Sequence, residues 1–404
     1  MSRSAPLSRA EFIALLAMLF ATVAFSIDSM LPALPEIAAQ LSPDNVNRAQ
    51  LVLTSFVLGM GVGTFFTGPL SDRFGRKPVI LVGTGLYITG AFLAYIAQGL
   101  ELVLAARVIQ GLGAAAPRVV GLAIVRDLYS GREMARIMSF AMMVFTLVPA
   151  VAPLMGSWII ALSDWRGIFI AFILFALFSS GWLALRQSET LPPESRRPLH
   201  LGTLWASVKE MFSHPTVRYS IMAQTLCFAL LFMAISLIQP IFFDVFGKGD
   251  SFPYWFAGMA LVSGSASLLN AALVMRFGMR SLASLALGVQ VGLSLAMTAI
   301  WLVGLRGDPM FYVFLFWMTS VFFQTGLTLG NLNAITMEPL GHIAGTAASV
   351  SGGVATVIGA GIAAPVGLAF NGTPLPLSIG IAVAAAIAWG ALQYMRRLED
   401  RGFA

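Results

Sequence analysis

Three ionisable side chains stand inside long apolar runs of this sequence: Asp28, Arg107 and Arg118. A charge within a membrane-spanning segment is costly unless it is paired or wetted, so each is a candidate for handling protons or ions. Asp28 has the chemistry of a proton carrier, and Arg107 is its candidate counter-charge. At 1.5 Å of rise per residue, Asp28 lies roughly 9 Å below the outer edge of a first span. Arg107 lies roughly 8 Å below the same edge of a fourth, so the two can pair if those helices are neighbours. Burial and a nearby guanidinium act in opposite senses on a carboxyl proton, and a group balanced that way can be switched. A substrate that is cationic or donates hydrogen bonds then competes with the proton for Asp28. The plainer reading of the same pair is a static salt bridge between two helices. Arg118 follows Arg107 by about three turns, on nearly one face with Gln110 and Gly111. It either attracts an anionic part of a substrate or snorkels to the inner surface.

Further along, Phe228, Phe232 and Gln239 recur at helical spacing, and Gln324, Asn331 and Asn333 lie in another apolar run. An aromatic and amide lining suits neutral or weakly charged amphiphilic ligands. Taken singly, each of these residues also serves helix packing.

The elements that position these groups follow from composition. With 58% hydrophobic and 10% charged residues in 404, the chain lies far from the soluble average of about 25% charged. Long uncharged runs read as spanning helices rather than barrel strands, because a helix satisfies its own backbone in hydrocarbon. Cutting at polar, Pro and Gly clusters gives twelve spans, near 11–34, 49–70, 79–98, 102–125, 135–161, 166–185, 219–243, 254–275, 282–304, 309–334, 346–370 and 376–395. The first follows Arg3 and Arg9 as a signal peptide would, but it runs past Asp28 with no small-residue cleavage site and is read as a span. With the N-terminus inside, 18 of the 24 basic residues fall on the inner side and 4 outside, which predicts that both termini are cytoplasmic.

The longest polar stretch, 187–217, divides the chain into an N-terminal bundle, 1–186, and a C-terminal bundle, 218–404, with the stretch itself a cytoplasmic linker. Arg73-Phe74-Gly75 after span two recurs as Arg276-Phe277-Gly278 after span eight. This echo favours a duplicated six-helix unit, an arrangement common among secondary transporters. The fold class expected is therefore an all-α membrane protein of twelve transmembrane helices in two pseudo-symmetric six-helix bundles. Cys227 is the single cysteine, which excludes an internal disulfide and a cysteine-based metal site. The net charge of +6 is spread without a basic patch, so no nucleic-acid partner is expected. No HExxH, GxSxG or Walker loop occurs, so the chain does not read as an enzyme, and the energy source reads as an ion gradient rather than ATP.

Between spans two and three stands GPLSDRFGRKP, Gly68 to Pro78, with Asp72 beside Arg73, Arg76 and Lys77. It closely resembles the G-x-L-S/A-D-R-x-G-R-K/R signature of the major facilitator superfamily. Arg107 to Gly111 (RVIQG) resembles the R-x-x-Q-G pattern of drug:proton antiporters, and Pro149 to Gly156 (PAVAPLMG), including Pro153, resembles their antiporter signature. Arg126-Asp127-Leu128-Tyr129, Glu189 to Glu194 (ETLPPE) and Glu338 to Thr346 (EPLGHIAGT) resemble the bicyclomycin and chloramphenicol-resistance (Bcr/CflA) subfamily. Two departures stand out: Ser157 where a second glycine is usual, and Arg118 where the subfamily carries a small or apolar residue.

The resemblance implies the major facilitator fold, with spans 1, 4, 7 and 10 lining a cavity and the small-faced spans five and eleven meeting between the halves. It also implies that the Gly68–Asp72–Gly75 loop, with Arg126 and Asp127, gates the inner side, Asp72 sitting by the start of span eleven. His342 reads as structural. The expected function is proton-coupled export of small amphiphilic molecules by alternating access in a bacterial inner membrane. An uptake symporter or facilitator on the same fold is the alternative. The expected partners are a small-molecule substrate, protons and the lipid bilayer, with no cofactor and no metal, the protein acting as a monomer.

Overall fold

The computed structural model describes residues 7–196 and 201–401, without the side chains of 131, 132, 135, 136, 139–146, 201, 203, 204 and 344. The fold is all-helical, and the chain separates into two compact units, Met1–Leu201 and Gly202–Ala404. The first unit holds α1 (Arg9–Asp28), α2 (Leu34–Leu41), α3 (Leu51–Phe74), α4 (Arg76–Ile96), α5 (Leu100–Leu128), α6 (Gly131–Leu162) and α7 (Gly167–Arg186). The second holds α8 (Leu201–Ser213), α9 (Pro215–Pro240), α10 (Phe252–Phe277), α11 (Met279–Leu302), α12 (Gly307–Met337), α13 (Ala344–Leu368) and α14 (Leu375–Asp400). Among the described residues, eleven helices are long and apolar enough to cross a membrane, and α6 adds the shorter apolar run Leu147–Leu162.

Both units are wired alike. In the first, α5 lies between α3 and α4, α1 packs on α5, α6 and α7, and α4 meets α7. In the second, α12 lies between α10 and α11, α9 packs on α12, α13 and α14, and α11 meets α14. The repeated Arg-Phe-Gly triplets occupy equivalent corners. Gly75 ends α3 at φ 104° and Gly278 ends α10 at φ 78°, conformations that a side chain resists. Each corner also stacks its arginine on the neighbouring ring, Arg73 on Phe74 at 5.2 Å and Arg276 on Phe277 at 5.3 Å.

The first expected span differs from a single helix. Pro32 and Pro35 cannot continue α1 as donors, so it stops at Asp28, passes through a 3-10 turn at Leu31–Ala33, and resumes as α2. The stretch expected to be linker holds α8, which docks through buried Met211 against Val217, Ile221 and Leu340. Residues 197–200 of that stretch lie outside the described residues.

Candidate functional site

Glycines set the depth of Arg107. A Cβ on Gly59 would overlap the Val108 carbonyl, and one on Gly111 would overlap the carbonyl of Phe56, so α3 and α5 touch backbone to backbone. On its other side α5 meets α4 equally closely, Gly113 against Gly83 and Tyr87. Close approach of this kind is what small residues provide in a membrane bundle. It encloses Arg107 completely, at 0% exposure.

A guanidinium presents five donors and no acceptor, so a buried one must be surrounded by oxygens. Arg107 Nη2 donates to the Ser26 carbonyl at 2.9 Å, Nη1 to Gln110 Oε1 at 2.8 Å and Nε to the Val52 carbonyl at 3.2 Å. Its carbon centre lies 4.4 Å from the Phe56 ring centroid, a desolvated cation–π contact. The Ser26 carbonyl is free to accept because α1 ends there: the Met30 amide bonds Ile27 in its place. Arg107 thus caps the negative end of the α1 dipole.

Asp28 occupies the last position of α1 and is 5% exposed. Its carboxyl has no hydrogen-bond or ion-pair partner among the described residues, and the pairing with Arg107 expected from the sequence is not formed. The helices that carry them are neighbours, and neutral acceptors engage three of the five N–H groups of Arg107. Beside Asp28, Gly156 of α6 rests on the backbone of Ser29, where a Cβ would overlap the carbonyl oxygen. Gly156→Ala is expected to push α6 off the end of α1 and cost about 1–3 kcal/mol, read as a lowered thermal midpoint. Pro153, one turn earlier, is buried, and Pro149 is half-buried.

Arg118 is half-buried on α5, with no hydrogen bond or ion pair among the described residues. It does not reach the Arg107 cluster.

The signature loop forms a second cluster. Arg76 donates from Nε to Asp127 Oδ2 at 2.9 Å, and from Nη1 to Ser71 at 2.7 Å and to Asp72 at 2.5 Å. Gly68 contributes its carbonyl to Ser71 Oγ, 2.8 Å away. Glu189, legible in the sequence only as part of a subfamily pattern, caps the start of α4 by accepting from the Arg76 and Lys77 amides at 2.8 and 3.0 Å. A carboxylate there also complements the positive end of the helix. Arg73 and Arg126 are exposed and join none of these bonds. Gly75→Ala combines a strained φ with a Cβ 2.7 Å from Glu189 Oε2. We expect it to release this cap and to cost about 1–3 kcal/mol, visible as a lower unfolding temperature.

In the second unit, Phe228 and Phe232 stack with centroids 5.6 Å apart on α9, and Gln239 is buried in the last turn of that helix. Across from them on α12, Gln324 is buried with its Nε2 unpartnered among the described residues, as is Oε1 of Gln224 on α9. Asn331 bonds Asn270 of α10 at 2.7 Å, a helix-joining amide pair, whereas Asn333 is exposed. A third ionic cluster sits where α11 begins: Arg280 binds Glu338 at 2.8 Å and Glu399 at 2.9 Å. His342, in the 3-10 segment Glu338–Ile343, bonds Glu210 of α8 at 2.8 Å.

Sequence patterns gave no sign of Tyr87 or Ser26, whose hydroxyl groups lie 2.6 Å apart at the edge of the Arg107 cluster. The glycines flanking Tyr87 at 83 and 90 were the available signal, since they mark where α4 is pressed against α5.

A model of the Major Facilitator Superfamily matches residues 14–365. The bicyclomycin resistance protein homolog of Haemophilus influenzae is 31% identical, covering 97% of this chain and 98% of its own. A chloramphenicol resistance protein of Pseudomonas aeruginosa is 27% identical over 80% of this chain and 75% of its own. The multidrug resistance protein MdtL of Shewanella oneidensis is 27% identical over 81% of each. Among solved structures, a D-xylose-proton symporter superposes with a TM-score of 0.75 over 95% of this chain and 97% of its own; at 14% identity the likeness is one of fold.

Proposed function

We infer that this chain, which belongs to the Major Facilitator Superfamily, exports small amphiphilic molecules in exchange for protons by alternating access. It is a multi-pass membrane protein of a transporter family and not an enzyme. On this reading α6 is the fifth of twelve spans and both termini are cytoplasmic. Residues 1–186 and 218–404 are the two bundles, joined by 187–217, in a monomer of the bacterial inner membrane.

The observation that carries the reading is Asp28, a buried carboxyl with no described partner, two residues along α1 from the Ser26 carbonyl that binds the buried Arg107. Burying a charge without a partner is far costlier than burying a neutral carboxyl. Asp28 therefore carries the proton inward, and Arg107 becomes its counter-charge once the proton has left. Substrate and proton then exclude one another at α1. Names of the relatives, resistance proteins for bicyclomycin and chloramphenicol among them, support drug-like compounds or metabolites as cargo. Phe228, Phe232, Gln239 and Gln324 contribute aromatic and amide surface for such cargo, and Arg118 serves an anionic portion, whereas Gln110 is committed to Arg107 and Gly111 to the contact of α5 with α3. The Arg76–Asp72–Asp127 cluster serves as the inner gate.

The test is to express the chain in bacteria stripped of their own drug exporters and to measure retention of labelled chloramphenicol and bicyclomycin. Lower retention that rises when an uncoupler collapses the proton gradient is expected. Retention above that of the empty strain for both compounds would instead favour uptake.

A further inference from the structure

Tyr87 sits in the middle of α4 at 1% exposure, against Phe172 of α7 with ring centroids 6.4 Å apart. A phenylalanine would fill that space. The hydroxyl is what needs an explanation, since a polar group so enclosed requires a partner. Its partner is Ser26 Oγ, at 2.6 Å. Ser26 is itself fully buried, and its one hydrogen is committed to the Thr22 carbonyl at 2.6 Å, so Tyr87 is the donor in the pair.

The same residue, Ser26, offers its carbonyl to Arg107 at 2.9 Å. Residues two apart on a helix project about 200° apart, so a Ser26 side chain held toward α4 turns Asp28 to the opposite side of α1. Bringing Asp28 onto Arg107 requires the last turn of α1 to rotate, and that rotation breaks the bond between Tyr87 and Ser26. Just beyond Met30 a 3-10 turn at Leu31–Ala33 interrupts the helix, so regular α-helical bonds do not run on from the last turn of α1 to oppose that rotation.

We propose that Tyr87 is a positioning residue for the proton site: its hydroxyl, bonded to Ser26, holds the last turn of α1 so that Arg107 stays on the Ser26 carbonyl and Asp28 stays unpaired. The proposal rests on Asp28 as the proton carrier. Among the described residues, the other charged groups on elements packed against α1 are accounted for. Glu133 of α6 pairs with Arg9 at 2.8 Å and Arg186 of α7 with Glu11 at 2.7 Å, at the opposite end of α1. On α5, Glu101 pairs with Arg48, Asp127 with Arg76, Arg126 is exposed at the far end, and Arg118 lies about three turns beyond Arg107.

The bond stabilises the arrangement with Asp28 unpaired and protonated over the one with Asp28 ionised on Arg107. Removing it favours release of the proton, so deprotonation occurs at lower pH. A lost buried hydrogen bond shifts such an equilibrium by roughly tenfold, which is about one pH unit.

Infrared difference spectroscopy of the purified full chain, titrated with pH in lipid, reads this without any substrate. The carboxyl band missing from Asp28→Asn identifies Asp28. In Tyr87→Phe its midpoint is expected about one pH unit lower, with the same shift in Ser26→Ala and no further shift in the double variant. An unmoved midpoint in both single variants, with the band present, would overturn the positioning role and leave the proton carrier standing. Absence of any titrating band assignable to Asp28 would remove the carrier itself and the proposal with it. Should Tyr87→Phe not fold, Ser26→Ala alone decides.

Discussion

Arg107→Ala is expected to abolish transport and to reduce the amount of folded protein in the membrane. The substitution leaves the Ser26 and Val52 carbonyls and Gln110 Oε1 without their donor in a site of 0% exposure. Each such loss costs about 1–3 kcal/mol. Part of this is returned, because the dehydrated charge is gone as well. The net expectation is a destabilisation on the order of 3 kcal/mol, seen as a lower thermal midpoint and lower yield by detergent size-exclusion. Arg107→Lys separates charge from geometry. An ammonium keeps the charge, but it is a compact donor that does not span three acceptors arranged around a planar fork. It should restore much of the expression and little of the transport. Full transport by the lysine variant would show that charge alone suffices and that the α1 cap is incidental.

Asp28→Asn has the opposite profile. The carboxyl makes no described hydrogen bond or ion pair, so an amide of the same shape removes no contact that holds the bundle together. Yield and thermal midpoint should stay close to those of the parent, because a neutral amide replaces a neutral carboxyl of the same shape without breaking a described bond. Proton-driven export should vanish, because the amide cannot take up or release a proton in this range. Folding failure in this variant would mean that Asp28 has a structural partner in the resting protein.

The all-helical, multi-pass character of the chain was legible because apolar runs of membrane length leave few alternatives. The Arg-Phe-Gly echo was legible too, since both copies end a helix on a glycine with positive φ. The stop at Asp28 was harder to see. Pro32 and Pro35 were in view, but an unbroken apolar run hides a helix that halts and restarts. Depth placed Asp28 and Arg107 at similar levels, and their helices α1 and α5 are neighbours, the condition on which pairing rested. The partners of Arg107 were hidden, since the acceptors around it include two main-chain carbonyls, which no residue pattern records. Glu189 shows the same limit in another form: a motif letter 113 positions from the Arg76 amide becomes a helix cap only through the fold. Asn333 illustrates the converse, for proximity in sequence to Asn331 did not give it the same environment, because residues two apart on a helix face different ways.

The most direct measurement is proton movement in everted membrane vesicles containing the protein, acidified inside and challenged with chloramphenicol, bicyclomycin and a panel of amino acids. Antiport predicts that at least one compound releases lumenal protons with the parent chain and none does so with Asp28→Asn, although both proteins are present in equal amounts. Proton release that survives in Asp28→Asn would contradict the assignment of the proton to Asp28. Accumulation of a labelled compound in whole cells, with no proton release in vesicles by any member of the panel, would contradict export itself.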